Sequence, residues 1–376
     1  MIKFKVENRI YSSKCPLIIA ELGTSHNGDI KKAKEMITAA AEAGAGCTKF
    51  QMVFADEILH PNTGFVNLPG GKVRLYDRFK ALEKSSDFYA ELKEYAESTG
   101  LLFLCTPFGP KSAKILRDLQ PKIAKIASPE LNFTSLLKEI SCWALPILLS
   151  CGVSYLSDID KAIRILGNAK KGAESPETGQ VCLLHCVTAY PAPEIDYNLR
   201  VLQSLSTVFG TPVGVSDHSL DPRLIPALAV SMGAAVIEKH FCLSRSDPGL
   251  DDPIALPPDQ FSLMTEAVRH AAKAGPEETI MAYKREMGEE LVEQVLGNGK
   301  KELAPSEKQN YRFTNRSIHA LRDINKGEII QIGDFAVLRT EKNLRPGLEP
   351  CFEALIEGRT ALNFIPAGEG IRFQDI

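Results

Sequence analysis

No apolar run in this chain approaches the ~20 residues that a membrane-spanning helix needs, so no membrane partner is expected. Residues 1–14 lack the continuous apolar core of a secretory leader and mix Lys, Glu and Arg, which predicts a cytoplasmic protein. Neither sign of charge is in excess. Lys+Arg 44 against Asp+Glu 47 leaves a net charge of -3, with the signs interspersed, so there is no basic stripe for nucleic acid and no acidic tail. The nine cysteines lack metal-ligand spacing, and Cys105, Cys151, Cys182, Cys186 and Cys242 lie in or beside apolar runs, as reduced core residues of a cytosolic protein do. No Gly-x-Gly-x-x-Gly follows the first apolar run, which counts against a doubly wound dinucleotide-binding sheet. A small-molecule substrate remains as the expected partner.

What is present is a repeated alternation. Short apolar runs occur at 17–21, 47–51, 101–106, 123–128, 146–150, 181–187, 213–217 and 235–240. Between them lie stretches with helical spacing, such as Ala33, Met36, Ile37 and Ala40, then Leu92, Tyr95 and Ala96, then Ile159, Ala162, Ile163 and Leu166. Strand and helix alternating in this way predict an α/β fold, a (β/α)8 TIM barrel over residues 1–275. The long connection 53–84, with Pro61, Gly64, Pro69, Gly70 and Gly71, is a candidate lid over the barrel mouth. Residues 276–312, beginning at Pro276 and carrying Gly297, Gly299 and Pro305, are expected to be an interdomain linker with some helix. Residues 313–376 have short strands and turns at Lys326-Gly327, Arg345-Pro346-Gly347 and Pro366-Ala367-Gly368. They predict a small β-rich domain whose core is too small to stand alone.

Chemistry in such a barrel collects at the carboxyl ends of the strands. Val213 to His218 and Val236 to His240 read as neighbouring strands that present His218 and His240 side by side, a pair suited to a divalent metal with open positions. Alternation along a strand puts Ser216 and His218 inward and Asp217 on the packing side, so Ser216-Asp217-His218 is not a nucleophile triad. The same alternation puts Glu238 with His240 and turns Lys239 away. Glu21 follows an apolar run directly and must hydrogen-bond or act. Lys49 and Lys125 interrupt buried runs, where an ammonium is costly unless an anion meets it; together they suit a dianion, the competing view being that each simply points outward. Thr106, Ser128, Glu130 and Ser150 at strand ends either cap the following helices or form a polar ring. His185 suits a core histidine as well as a site, whereas Thr188 and Tyr190 lie further toward the mouth, and Asp251 offers a carboxylate from the last loop. His26 and Asn27 suit a turn that starts the first helix as well as a site.

With these residues assembled, the chain closely resembles the sialic acid synthase family. The matching motifs are Ala-Glu-Leu-Gly-x-x-His-Asn-Gly over 20–28, Lys49-Phe50-Gln51, Thr106-Pro107-Phe108, Lys125-Ile126-Ala127-Ser128-x-Glu130, Leu184-His185-Cys186, Ser216-Asp217-His218-Ser219 and Glu238-Lys239-His240-Phe241. Arg316-Ser317-Ile318, Asp323 to Glu328 and Arg345-Pro346-Gly347 resemble the antifreeze-like (SAF) domain that ends these synthases. The resemblance implies condensation of phosphoenolpyruvate with an amino-sugar aldose, such as N-acetylmannosamine, to a nine-carbon 2-keto acid and phosphate.

It further implies Mn2+ or Mg2+ on His218 and His240. Lys49, Lys125, Thr106, Ser128 and Ser150 would surround phosphoenolpyruvate, with Gln51, Thr188, Tyr190, Ser216 and Asp251 as further substrate contacts. Glu21 would be a metal or aldehyde-side group, and Glu21 or Glu130 would manage the proton of water. A domain-swapped homodimer is implied as well, with Arg345 reaching the partner's barrel. Cys151 and Thr188 depart from the family pattern on the sugar side, and the stretch from His240 to Asp251 looks nearer to the pseudaminic and legionaminic acid branches, which use 6-deoxy diacetamido hexoses. Two other classes compete: a Schiff-base aldolase using Lys125 or Lys49, and a non-enzymatic module that binds sugar or ice through its tail.

Overall fold

The eight apolar runs form eight parallel strands of one nearly closed barrel. The computed structural model describes residues 2–68, 71–167, 178–179 and 181–376. A short antiparallel pair, β1 (Lys3–Val6) and β2 (Arg9–Tyr11), comes first. The barrel is built from β3 (Leu17–Gly23), β4 (Cys47–Met52), β7 (Leu102–Pro107), β8 (Ala124–Ile126), β9 (Ile147–Ser150), β11 (Val181–His185), β12 (Val213–Asp217) and β13 (Val236–His240). Its strand order is β7-β4-β3-β13-β12-β11-β9-β8. The remaining short strands are β5 (Val66–Leu68) and β6 (Gly71–Val73), which pair in the lid, and β10 (Thr178–Gly179), which pairs with β1.

The pleat sorts each barrel strand into two columns. In β3, Ile18, Ala20 and Leu22 face the surrounding helices, while Leu17 and Ile19 face the barrel axis. The axial column is apolar at the amino ends, where Leu17, Ile19, Cys47, Leu104, Leu148, Cys182 and Leu184 pack together. Phe4, Val6 and Tyr11 of the β1-β2 hairpin join that cluster and plug the barrel floor. Two residues further along six of the strands the same column becomes polar: Glu21 after Ile19, Lys49 after Cys47, Thr106 after Leu104, Lys125 after Ile123, Ser150 after Leu148, and Glu238 after Val236. The polar floor of the mouth is thus fixed by strand register. Gly214 is needed in this column, since a Cβ there would lie 2.4 Å from the Val236 carbonyl oxygen.

The helices cover the barrel through the predicted faces. In α1 (Ile30–Glu42), capped by Asp29, which accepts from Lys31 N at 2.8 Å, the buried residues are Ala33, Met36, Ile37 and Ala40. Burying Met36 and Ile37 contributes about 1.5–3 kcal/mol each. The other helices of the barrel are α2 (Leu75–Leu82), α3 (Ser86–Ser98), α4 (Pro110–Asp118), α5 (Thr134–Ser141), α6 (Leu156–Leu166), α7 (Val201–Phe209), α8 (Leu224–Ser231) and α9 (Pro258–Ala274). Residues 276–296 are more than a linker. They form α10 (Pro276–Met287) and α11 (Glu289–Leu296), whose Tyr283, Val292, Val295 and Leu296 are buried in the main core. No helix among the described residues is long and apolar enough to cross a membrane.

The small domain pairs β14 (Ser317–Ala320) with β15 (Phe335–Leu338), adds isolated bridges and a short helix, α12 (Glu353–Ile356), and finishes on a 3-10 turn, Phe373–Asp375. Gly347 of the Arg-Pro-Gly turn lets three backbone segments meet, because a Cβ there would fall 2.0 Å from the Ile318 carbonyl oxygen. The domain packs on its own barrel and on the lid: Arg339 N donates to Ile58 O at 2.9 Å, and Asn62 Nδ2 to Ala367 O at 2.9 Å. Within the lid, Pro69 and Gly70 lie outside the described residues.

Candidate active site

A cavity of about 920 Å³ opens at the carboxyl ends of the strands. Of the residues singled out from sequence, Glu21, Lys49, Gln51, Thr106, Lys125, Ser128, Ser150, Thr188, Tyr190, Ser216, His218, His240 and Asp251 all line it. The lid supplies apolar wall through Val53, Ile58, Phe65, Val66, Leu75 and Phe79. The small domain adds Arg339, Glu341, Lys342 and Asn343, which sequence reading missed because they lie far along the chain in a turn without a motif.

His218 and His240 stand side by side, their ring centroids 5.6 Å apart at an interplanar angle of 52°. His218 Nδ1 is 2.7 Å from the Val187 carbonyl oxygen, so the proton belongs on Nδ1 and Nε2 is left as a lone pair. Tyr190 stacks on the His218 ring at 4.4 Å. Burial, then the neighbouring His240, lowers the His218 pKa to about 4; burial, then Lys49, lowers that of His240 to about 3. Both rings are therefore neutral at pH 7, the state in which imidazole binds a metal. Asp251 Oδ2 lies 3.8 Å from His240 Nδ1. Two neutral nitrogens with a carboxylate nearby fit a divalent ion that keeps open positions, although no group of three or more ligating side chains is preassembled among the described residues.

Across the floor, Lys49 Nζ lies 2.8 Å from Glu238 Oε1 and 3.2 Å from Glu21 Oε2. Glu238 also accepts from Ser216 Oγ at 2.8 Å; burial alone would raise its pKa, but Lys49 and Lys125 hold it at about 2. Burial outweighs Lys49 at Glu21, whose pKa rises to about 7 while Gln51 Nε2 donates to it at 2.7 Å. Glu238 belongs to this site by the same alternation that put it beside His240. Lys125 is buried, its pKa lowered by burial, and its Nζ donates to Ser150 Oγ at 2.6 Å. Among the described residues no carboxylate lies within ion-pair distance of Lys125. Thr106 Oγ1, Thr188 Oγ1 and Glu238 Oε2 are buried without a hydrogen-bond partner among the described residues, a cost that a bound polar molecule would remove.

Glu130 is not on the cavity wall, and Arg345 is expected at a partner's barrel, which a single chain does not contain. Glu130 is fully buried and tied to two guanidinium groups, Arg316 Nη2 at 2.9 Å and Arg339 Nη2 at 2.6 Å, so its carboxylate joins the two domains. Arg345 turns into its own domain, held by Asp375 at 3.1 Å and by the Gly370 carbonyl at 3.0 Å. His185 is a core histidine, its Nε2 2.6 Å from Tyr197 O, and Asp217 faces the packing side, paired with buried Lys239 at 2.6 Å. His26 is buried with its ring tilted against those of Phe50 and Phe88, with its Nδ1 accepting from Gly28 N at 2.9 Å, and Asn27 takes a turn conformation, φ 49°.

A model described as the NeuB family matches residues 36–279. The chain belongs to the NeuB family. A SAF domain model matches residues 315–376, so the NeuB barrel is followed here by that domain. This NeuB-family chain is similar to the crystal structure of the spore coat polysaccharide biosynthesis protein SpsE of Bacillus subtilis, with a TM-score of 0.81 and 32% identity over 100% of this chain and 99% of that one. It is 34% identical to an N,N'-diacetyllegionaminic acid synthase of Legionella pneumophila over 89% of this chain and 88% of the relative. It is 31% identical to a pseudaminic acid synthase of Campylobacter jejuni, covering 97% of each.

Proposed function

We propose that the protein is a nonulosonic acid synthase, which condenses phosphoenolpyruvate and water with an acetamido aldose to a nine-carbon 2-keto acid plus phosphate. The observation that carries this is one cavity that holds both a buried Lys125, hydrogen-bonded to Ser150 and with no carboxylate in ion-pair distance among the described residues, and two neutral imidazoles; Lys49, the other lysine on its wall, is already paired with Glu238 and Glu21. Buried Lys125, with hydroxyls around it, suits an enol phosphate dianion.

A Mn2+ or Mg2+ held by His218 Nε2 and His240 would supply Lewis-acid polarisation of a carbonyl. The lysines and hydroxyls orient the enol phosphate so that its methylene carbon meets the aldehyde carbon held on the side of Tyr190, Thr188 and Asp251. The new carbon–carbon bond uses the enol electron pair, and the former aldehyde oxygen takes a proton from Glu21; the water that adds next returns one proton to Glu21 and, as the carbonyl forms, gives the other to the departing phosphate. Water then adds at the enol carbon, and the bond from that carbon to the bridging oxygen breaks, so that phosphate departs with that oxygen. Glu21 is the group to take the proton of this water, because it lines the cavity and burial raises its pKa above the usual carboxylate range, whereas Glu130 is off the cavity wall and engaged by two guanidinium groups.

A second reading for the acceptor, a 6-deoxy diacetamido hexose, is favoured by the apolar lid wall of Ile58, Phe65, Leu75 and Phe79 with Leu250, which suits a methyl group better than a hydroxymethyl. The free state of all nine cysteines is in keeping with work in the cytoplasm. A homodimer with exchanged small domains would carry Arg339, Glu341 and Lys342 to a partner's cavity in place of the chain's own. The test is phosphate release from phosphoenolpyruvate with Mn2+ and a panel of N-acetylmannosamine, its 6-phosphate and 6-deoxy diacetamido hexoses. Release with one aldose and none without it is expected; no release with any of them would contradict the proposal.

A further inference from the structure

Between α11 and the small domain, Pro305–Asn310 forms a short 3-10 turn that carries a carboxylate, Glu307, only 1% exposed. Its two oxygens are spent on two different loops of the barrel mouth. Oε1 accepts from Val153 N at 2.8 Å, in the loop after β9, and Oε2 accepts from Thr188 N at 3.1 Å, in the loop after β11. A carboxylate that bridges two backbone N–H groups across a gap fixes both at once, and the low dielectric of a buried setting strengthens each bond.

The neighbours of Glu307 hold the same two loops from their other side. Asn310 Nδ2 donates to Thr188 O at 2.8 Å, and Asn315 Nδ2 donates to Val153 O at 3.3 Å. Val153 is a β-branched residue at φ 40°, a left-handed conformation that costs free energy and persists only where surrounding bonds enforce it. Thr188, held on both its N–H and its C=O, directs a buried Oγ1 that has no partner among the described residues, and it lines the cavity two residues before Tyr190, which stacks on His218.

We propose that Glu307 is a positioning residue for the acceptor sugar, acting through Thr188 and Tyr190 without touching the substrate. The proposal rests on the synthase reading above for the identity of the ligand, but the clamp itself does not. The phosphate side has a support that Glu307 does not touch, since Lys125 in β8 holds Ser150 at 2.6 Å. Loss of the Glu307 charge therefore acts on one substrate more than on the other.

The experiment compares the full-length wild type with Glu307→Gln, which keeps the shape but places an amide group against one of the two N–H donors, and with Glu307→Ala. Amide hydrogen exchange is followed by mass spectrometry in peptides spanning Val153 and Thr188, and KM is measured for each substrate with the other saturating. In Glu307→Gln, exchange at these two loops is expected to rise about tenfold or more with the rest of the barrel unchanged, and KM for the aldose to rise about tenfold with KM for phosphoenolpyruvate within about twofold. Unchanged exchange at both loops, an equal rise in both KM values, or global unfolding of Glu307→Gln would each overturn the proposal. If the wild type turned over no aldose, faster exchange confined to the two loops would still support the clamp while the synthase reading failed.

Discussion

Glu130 Oε1 and Arg316 Nη2 lie 2.9 Å apart with both side chains fully buried, one from the barrel and one from the first strand boundary of the small domain. Arg316 also donates to the carbonyls of Phe108 at 2.7 Å and Glu57 at 2.6 Å, so a single guanidinium joins the barrel, the lid and the small domain. Removing one partner of such a pair leaves the other charged and buried. Glu130→Ala is expected to cost about 3–5 kcal/mol and to loosen the small domain, measured by chemical denaturation and by protease cleavage near residue 312. Wild-type stability in this variant would mean that the pair is dispensable.

Lys125 offers a second prediction. Lys125→Ala removes a buried cation that meets Ser150 and would meet an anion, so KM for phosphoenolpyruvate should rise about 10–100-fold, in line with about 1.5–3 kcal/mol for a charge-assisted bond. KM for the aldose should move little. The Schiff-base alternative predicts a different outcome: borohydride with substrate would inactivate the wild type irreversibly and add mass at Lys125 or Lys49.

Most of the fold was legible, and the reason is visible in the axial columns. Leu17, Ile19, Glu21 and Val236, Glu238, His240 keep a period of two, so an apolar floor and a polar mouth can both be read along the chain. The floor plug was also partly legible, since Phe4 and Val6 alternate with Lys3, Lys5 and Glu7, but so short a pair carries a weak signal and Tyr11, next to the exposed Ile10, breaks the alternation. Glu130 looked catalytic because it follows a strand end. Its partners Arg316 and Arg339 lie some two hundred positions away, and only tertiary structure brings them together. Arg339, Glu341 and Lys342 were invisible for the same reason: domain packing, with no local pattern, puts them at the cavity.

Acid should act on the small domain through His319. Its Nδ1 is 2.8 Å from Gly368 O and its Nε2 2.8 Å from Ser317 Oγ, and burial first of all lowers its pKa from 6.5 to about 4. A folded pKa below the unfolded value means that the unfolded chain binds the proton more readily. The stability is present above about 6.5 and is lost as pH falls toward about 4. At pH 5 this linkage is worth roughly 2 kcal/mol. Denaturant midpoints at pH 7 and pH 5 should therefore move apart less in His319→Gln than in the wild type.

His240→Ala should reduce turnover by about a thousandfold or more, equivalent to about 4 kcal/mol of barrier, with the circular dichroism spectrum unchanged. Chelation of the wild type should stop turnover reversibly, and Mn2+ should restore it. Near-normal turnover of His240→Ala in Mn2+ would mean that the imidazole pair does not hold the metal.

The bond that breaks is the most direct test of the proposed chemistry. Phosphoenolpyruvate carrying 18O in its bridging position would be turned over with the accepted aldose, and the products weighed by mass spectrometry. The expected result is the label in inorganic phosphate, as carbon–oxygen cleavage from a tetrahedral centre requires. Label retained in the keto acid, which means phosphorus–oxygen cleavage, would contradict it.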